Sequence, residues 1–114
     1  MIKAEVSFGK KDCRIRVSGH SGYAESGSDI VCAAVSSMLM LTLNTVTERL
    51  GCKADIQADN DGATVNAKVF DYTPAAEGII KQFAREVWEL SQSYPENVTV
   101  NADFLKGEIS QCLD

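Results

Sequence analysis

His20 and Cys32 stand twelve residues apart in the stretch GHSGYAESGSDIVCAAVSS, residues 19–37, and His20 is the only histidine of the 114-residue chain. A thiol and an imidazole are the two groups that nucleophilic catalysis by cysteine requires. The thiolate attacks, and the imidazole moves the proton. Ten residues, His20 to Asp29, form a long connection for a small domain. Gly22 and Gly27 leave its backbone free to fold back and bring the two groups together. Asp29 reads as the N-cap of a helix beginning near Ile30, which makes Cys32 its third residue. A thiol there faces unpaired backbone N–H groups and the positive end of the helix dipole, and both favour the thiolate. The same N–H groups could hold a developing oxyanion. Each residue also has a plainer role open to it: Cys32 as a small core residue, His20 as a surface or capping group, Asp29 as a cap alone, Ser36 as ordinary helix packing.

The elements that must position this stretch follow from hydrophobic period. Ile2, Ala4, Val6 and Phe8 alternate with polar residues, as do Cys13, Ile15 and Val17, with Gly9–Asp12 as the turn between two strands. A second hairpin alternates through Ala54, Ile56 and Ala58, turns at DNDG (59–62), and returns through Val65, Ala67 and Val69. A last strand holds Val98, Val100 and Ala102. The first helix is expected from about Ile30 to Leu50, with Gly51 as its stop. The second is expected after Thr73-Pro74, with an apolar stripe Ala76, Ile80, Phe83, Val87, Leu90 and Tyr94. The predicted order is ββαββαβ in one domain, residues 1–114. It is an α+β two-layer sandwich with a mainly antiparallel five-stranded sheet and two helices on one face. The tail, 105–114, is too weakly patterned for an assignment. The first helix is apolar nearly all round, with Met38, Leu39, Met40 and Leu41 consecutive. Its outer side must be covered either by the second helix or by a second copy of the chain.

Composition narrows the function. A net charge of −5 argues against a direct nucleic-acid binder. The four cysteines, Cys13, Cys32, Cys52 and Cys112, form no CxxC pair, and one histidine cannot complete a zinc set, so no metal site is expected. The N-terminal residues alternate and form no secretory signal. The uncharged run from Ile30 to Thr47 contains several polar residues and is short for a span, so it reads as a buried helix of a soluble protein and not as a membrane segment.

Gly-His followed at this distance by GSDIVCAAVSS resembles the small bacterial ribosomal-processing cysteine proteases. Their pattern is a Gly-His at a strand end, a mobile loop, and Gly-x-Asp-Ile/Val-x-Cys-Ala-Ala-x-Ser on a helix. Gly19, His20, Gly27, Asp29, Cys32, Ala33, Ala34 and Ser36 match it, and the element order is similar over residues 1–103. The resemblance implies a cytoplasmic homodimer without a cofactor that removes a short N-terminal extension from a large-subunit ribosomal protein. It places the nucleophile at Cys32 and its partner at His20. Asp29 then supports the helix start, and Gly19 and Gly27 free the loop, which is expected to order when substrate binds. Two rivals predict otherwise: a ribosome-associated dimer that grips a peptide without cutting it, and a redox sensor pairing Cys32 with Cys13 or Cys52.

Overall fold

Alternation sets the sheet. The structure, a computed structural model, describes residues 1–19, 26–59 and 63–112. Strand β1 is Ile2–Phe8 and β2 is Cys13–Ser18, paired antiparallel with Ala4 opposite Val17 and Val6 opposite Ile15. The Gly9 N–H donates to the Asp12 carbonyl at 2.8 Å and closes the turn. Strand β3 is Lys53–Asp59 and β4 is Thr64–Phe70, also antiparallel. Strand β5, Val98–Asn101, lies parallel to β1, so the sheet is mixed but mostly antiparallel, in the order β3-β4-β2-β1-β5. Ile2, Ala4, Val6, Cys13, Ile15, Val17, Ala67 and Val69 are buried on one face, while Lys3, Glu5, Arg14, Arg16 and Asn66 are exposed on the other.

The helices cover the apolar face. Helix α2, Pro74–Ser93, starts where expected: the Thr73 hydroxyl accepts from the Ala76 N–H at 3.1 Å, and Pro74 opens the first turn. Ala76, Ile80, Phe83 and Val87 are buried beneath it, while Glu77–Lys81 and Arg85–Glu89 pair along its wetter side.

Three features depart from the expected boundaries. Helix α1 is Ser26–Asn44, so it begins four residues before Ile30. Nothing in Ser26-Gly27-Ser28-Asp29 forbids a first helical turn, and a carboxylate is favourable there. Its end is not plain α-helix either: a π-helical turn spans Thr45–Arg49. Thr42, Thr45 and Thr47 each donate a side-chain hydrogen bond to the carbonyl four residues back, a habit that bends helices. The chain then stops at Gly51, at φ 71°. The tail forms a third helix, α3, Asp103–Cys112, giving ββαββαβα. Leu105 enters the core, and the Phe104 ring meets Phe8 edge-on at 5.8 Å.

The stretch Ile30–Arg49 is long and apolar enough to cross a membrane by length and composition. Here Val31, Val35, Leu39, Leu43 and Val46 belong instead to the core shared with the sheet. The second helix does not cover the opposite side. Met40 is 62 % exposed and Leu41 70 %.

Candidate active site

Cys32 lies half-buried in α1 and opens on a cleft of about 200 Å³. Five elements build its walls. Cys32, Val35, Ser36 and Leu39 come from α1, Ile2 and Val17 from β1 and β2, and Gly19 from the exit of β2. Ala58, Asp59, Ala63, Thr64 and Val65 come from the two arms of the β3–β4 hairpin. Topology explains the meeting: β2 ends, β3 ends, and β1 and β4 begin at one end of the sheet, where α1 also starts. The hairpin residues carry no chemical motif, and nothing in their sequence pointed to this cleft. A larger hollow, about 520 Å³, lies on the polar sheet face among Arg14, Arg16, Asp55 and Lys68, and neither thiol nor imidazole lines it among the described residues. The smaller cleft is where the chemistry can occur.

Gly19 holds this corner together. Its φ is 86°, and a Cβ built on it would run into the Met1 carbonyl. Glycine is therefore required by close backbone approach and by the left-handed conformation, not only for loop freedom. It fixes the direction in which β2 leaves the sheet, and the next residue in the chain is His20. His20 itself, Gly22 and the loop to residue 25 lie outside the described residues, as do Asn60–Gly62. The loop's expected ordering on substrate binding falls there too.

The earlier helix start changes the account of Cys32. Asp29 lies within α1 and is not its cap, and Gly27 is helical as well. Counted from Ser26, Cys32 is in the second turn. The unpaired N–H groups belong to the first turn, so the N–H of Cys32 falls within the i→i−4 ladder. The helix end does not supply its oxyanion donors. Ser36, one turn further, does share the cleft and offers a hydroxyl donor.

Cys13 and Cys52 stand far from this chemistry. Cys13 opens β2 at the opposite end of that strand, and Cys52 follows the far end of the long helix. At 1.5 Å per residue, the run from Cys32 to Arg49 alone covers about 25 Å. A disulfide needs Cα atoms within about 7 Å, so neither serves Cys32 as a resolving thiol in this fold. Cys13 is fully buried; burial, with a smaller contribution from the Glu77 charge, pushes its thiol up to about 12. Under limiting iodoacetamide at pH 7, peptide mapping should find Cys32 alkylated while Cys13 stays unlabelled until the protein unfolds. Equal native labelling of the two would contradict this placement.

Comparisons with known proteins agree with the motif. The family model described as cysteine protease Prp matches residues 1–99. The ribosomal processing cysteine protease Prp of Staphylococcus aureus (strain Mu50) is 27 % identical over 84 residues, which is 73 % of this chain and 79 % of that protein. A crystal structure of the S. aureus protease in complex with a substrate peptide superimposes with a TM-score of 0.78 at 23 % identity, covering 90 % of this chain and 99 % of that one. A Streptococcus mutans protein gives a TM-score of 0.74 at 29 % identity, covering 90 % and 93 %.

Proposed function

Since the chain belongs to the cysteine protease Prp family, we propose that it removes a short N-terminal extension from a large-subunit ribosomal protein, with Cys32 as nucleophile and His20 as general acid and base. One observation carries the assignment of residues: the half-buried thiol of Cys32 and the backbone of Gly19, which leads directly into His20, line the same cleft. The S. aureus relative is named for ribosomal processing, and the same protein was crystallised with a covalently linked product peptide. The net charge of −5 suits a basic ribosomal substrate.

The reaction is acyl transfer in two halves. The Cys32 thiolate attacks the scissile carbonyl carbon and forms a tetrahedral oxyanion, toward which Ser36 directs its O–H. The oxyanion collapses, the C–N bond breaks, and His20 gives its proton to the leaving amine of the shortened ribosomal protein. The extension remains as a thioester on Cys32. His20 then takes a proton from water, the hydroxide adds to the thioester, and Cys32 leaves as thiolate. The aliphatic lining, Ile2, Val17, Val35, Leu39 and Val65, suits an apolar side chain beside the scissile bond. Gly27 and Asp29, both in the first turn of α1, serve to set the helix start on which Cys32 rides. This function places the protein in the cytoplasm with its ribosomal substrate. Incubation with the extended precursor, read by intact mass, tests it: two fragments summing to the precursor plus one water support it, and an intact precursor does not.

A homodimer completes this reading. Ile30, Ala33, Ser37, Leu41 and Asn44 recur at three, four, four and three residues, and all are exposed on one side of α1. Their apolar members form a stripe that water covers poorly in a lone chain, and the small Ala33 and Ser37 let a second helix approach. Sedimentation should give about twice the 12.3 kDa chain mass. Leu41→Glu should shift the protein to monomer at micromolar concentration; a wild-type monomer would remove the dimer from the account.

A further inference from the structure

Among the described residues, strand β3 is the outer strand of the sheet, paired with β4 on one side only. Six of its seven residues are exposed. Its apolar side is Ala54, Ile56 and Ala58; in register, Ile56 stands opposite the buried Ala67 and Ala58 opposite Val65. These residues therefore face the helix layer, yet Ile56 is 45 % exposed because that layer does not extend over the edge strand. An exposed apolar edge without proline is a template for another strand.

The neighbouring helix supplies a second wall. Cys32, Ser36 and Met40 recur every four residues and share one side of α1. Cys32 and Ser36 line the cleft, and so do Ala58 and Asp59, the last two residues of β3. Away from the cleft, α1 and β3 are joined by the π-helical turn and the short link through Gly51. They thus run in opposite directions, and the end of β3 meets α1 at the cleft that holds Cys32.

We propose that the substrate's extended chain adds to the outer edge of β3 as a sixth strand, with its side chains on the helix side resting against Ile56, and that this pairing delivers the scissile carbonyl to Cys32. The proposal rests on the proteolytic reading above and deepens it. Ladder hydrogen bonds would give affinity with little regard to sequence, and every second side chain would lie on the helix side beside Ile56. Seven residues of β3 can pair with a segment of about six. A peptide is the fitting occupant rather than a second copy of the chain. The strand ends in the wall of the cleft itself, and a copy seated there would cover the thiol.

The test uses the full-length protein and synthetic peptides spanning the cleavage site of the ribosomal precursor, N-methylated at one backbone amide at a time. Strand addition predicts period two on one flank of the scissile bond. Alternate N-methyl groups should raise KM on the order of tenfold, and those between them should have little effect. Ile56→Glu, on an exposed side chain, should raise KM for the long peptide by a similar factor and leave kcat nearly unchanged. It should not alter KM for a peptide trimmed to the residues flanking the cut. Cleavage without the two-residue alternation and without sensitivity to Ile56→Glu would overturn the strand proposal and leave the protease assignment standing. A shift of Ile56→Glu from dimer to monomer, with unchanged KM, would assign the edge to a second copy and overturn the proposal as well. Failure of the wild type to cut any of the peptides would overturn the proteolytic reading and this inference with it.

Discussion

Cys32→Ala should abolish cleavage of the extended ribosomal precursor, by on the order of 10⁴-fold or more, in a protein that keeps its fold. Without the thiol no thioester forms, and neither His20 nor Ser36 can replace it as nucleophile. The structural cost should be small. Cys32 is only half-buried at the cleft, its core neighbours Val31 and Val35 are untouched, and the substitution removes one sulfur. The melting temperature should therefore fall by no more than a few degrees, corresponding to about 1 kcal/mol or less. The variant should still bind the precursor, which separates a nucleophile from a peptide-gripping residue: a binding module would lose capture, whereas a protease loses turnover. Cleavage slowed only a few-fold would show that another group attacks.

Gly19→Ala should have the second largest effect, on a residue that performs no chemistry. The added Cβ meets the Met1 carbonyl, part of a backbone that cannot swing aside like a side chain, and φ is 86°. A left-handed alanine costs about 1–2 kcal/mol before the clash is counted, so a loss of about 2–3 kcal/mol in stability is expected. More telling is the predicted fall in kcat/KM, on the order of 100-fold, because a displacement of about 1 Å in a catalytic group costs that much. Gly19 is bonded directly to the proposed acid–base residue. Gly51→Ala is the control. Its φ is also positive, at 71°, but nothing lies within 4 Å of a Cβ there, and it stands at the far end of α1. It should cost about 1 kcal/mol and leave kcat/KM unchanged. Equal activities for the two variants would deny Gly19 its positioning role.

The strands of β1, β2 and β4 were legible because each puts alternate residues into one core, so that burial and sequence share a period of two. Thr73-Pro74 and Gly51 marked helix ends through local chemistry that operates as well in the folded protein as in the sequence. The motif from Gly19 to Ser36 named the family, since its residue types and spacing are specific. What remained hidden depends on partners distant in sequence, or on segments with no apolar rhythm. Ser26–Asp29 carry no hydrophobic residue, so the first turn of α1 has no periodic signal, and the role given to Cys32 at a helix N-terminus fell with it. Helix α3 is ten residues long with Gly107 inside it, and it is fixed by Leu105 and Phe104 meeting the rest of the fold. Ile56 reads as a core residue by alternation, but it lies on an edge strand beyond the reach of the helices. The hairpin wall of the cleft, Ala58 and Asp59 with Ala63, Thr64 and Val65, arises only when β3 and β4 join the sheet beside β2.

The most direct test of Cys32 as the attacking group is the covalent intermediate. Acid quench within a single turnover, followed by intact mass and peptide mapping, should find enzyme heavier by the released extension less one water. The adduct should lie on the peptide that contains Cys32 and should disappear with time as the thioester hydrolyses. An adduct on another residue, or processing of the precursor by the Cys32→Ala protein, would contradict the account.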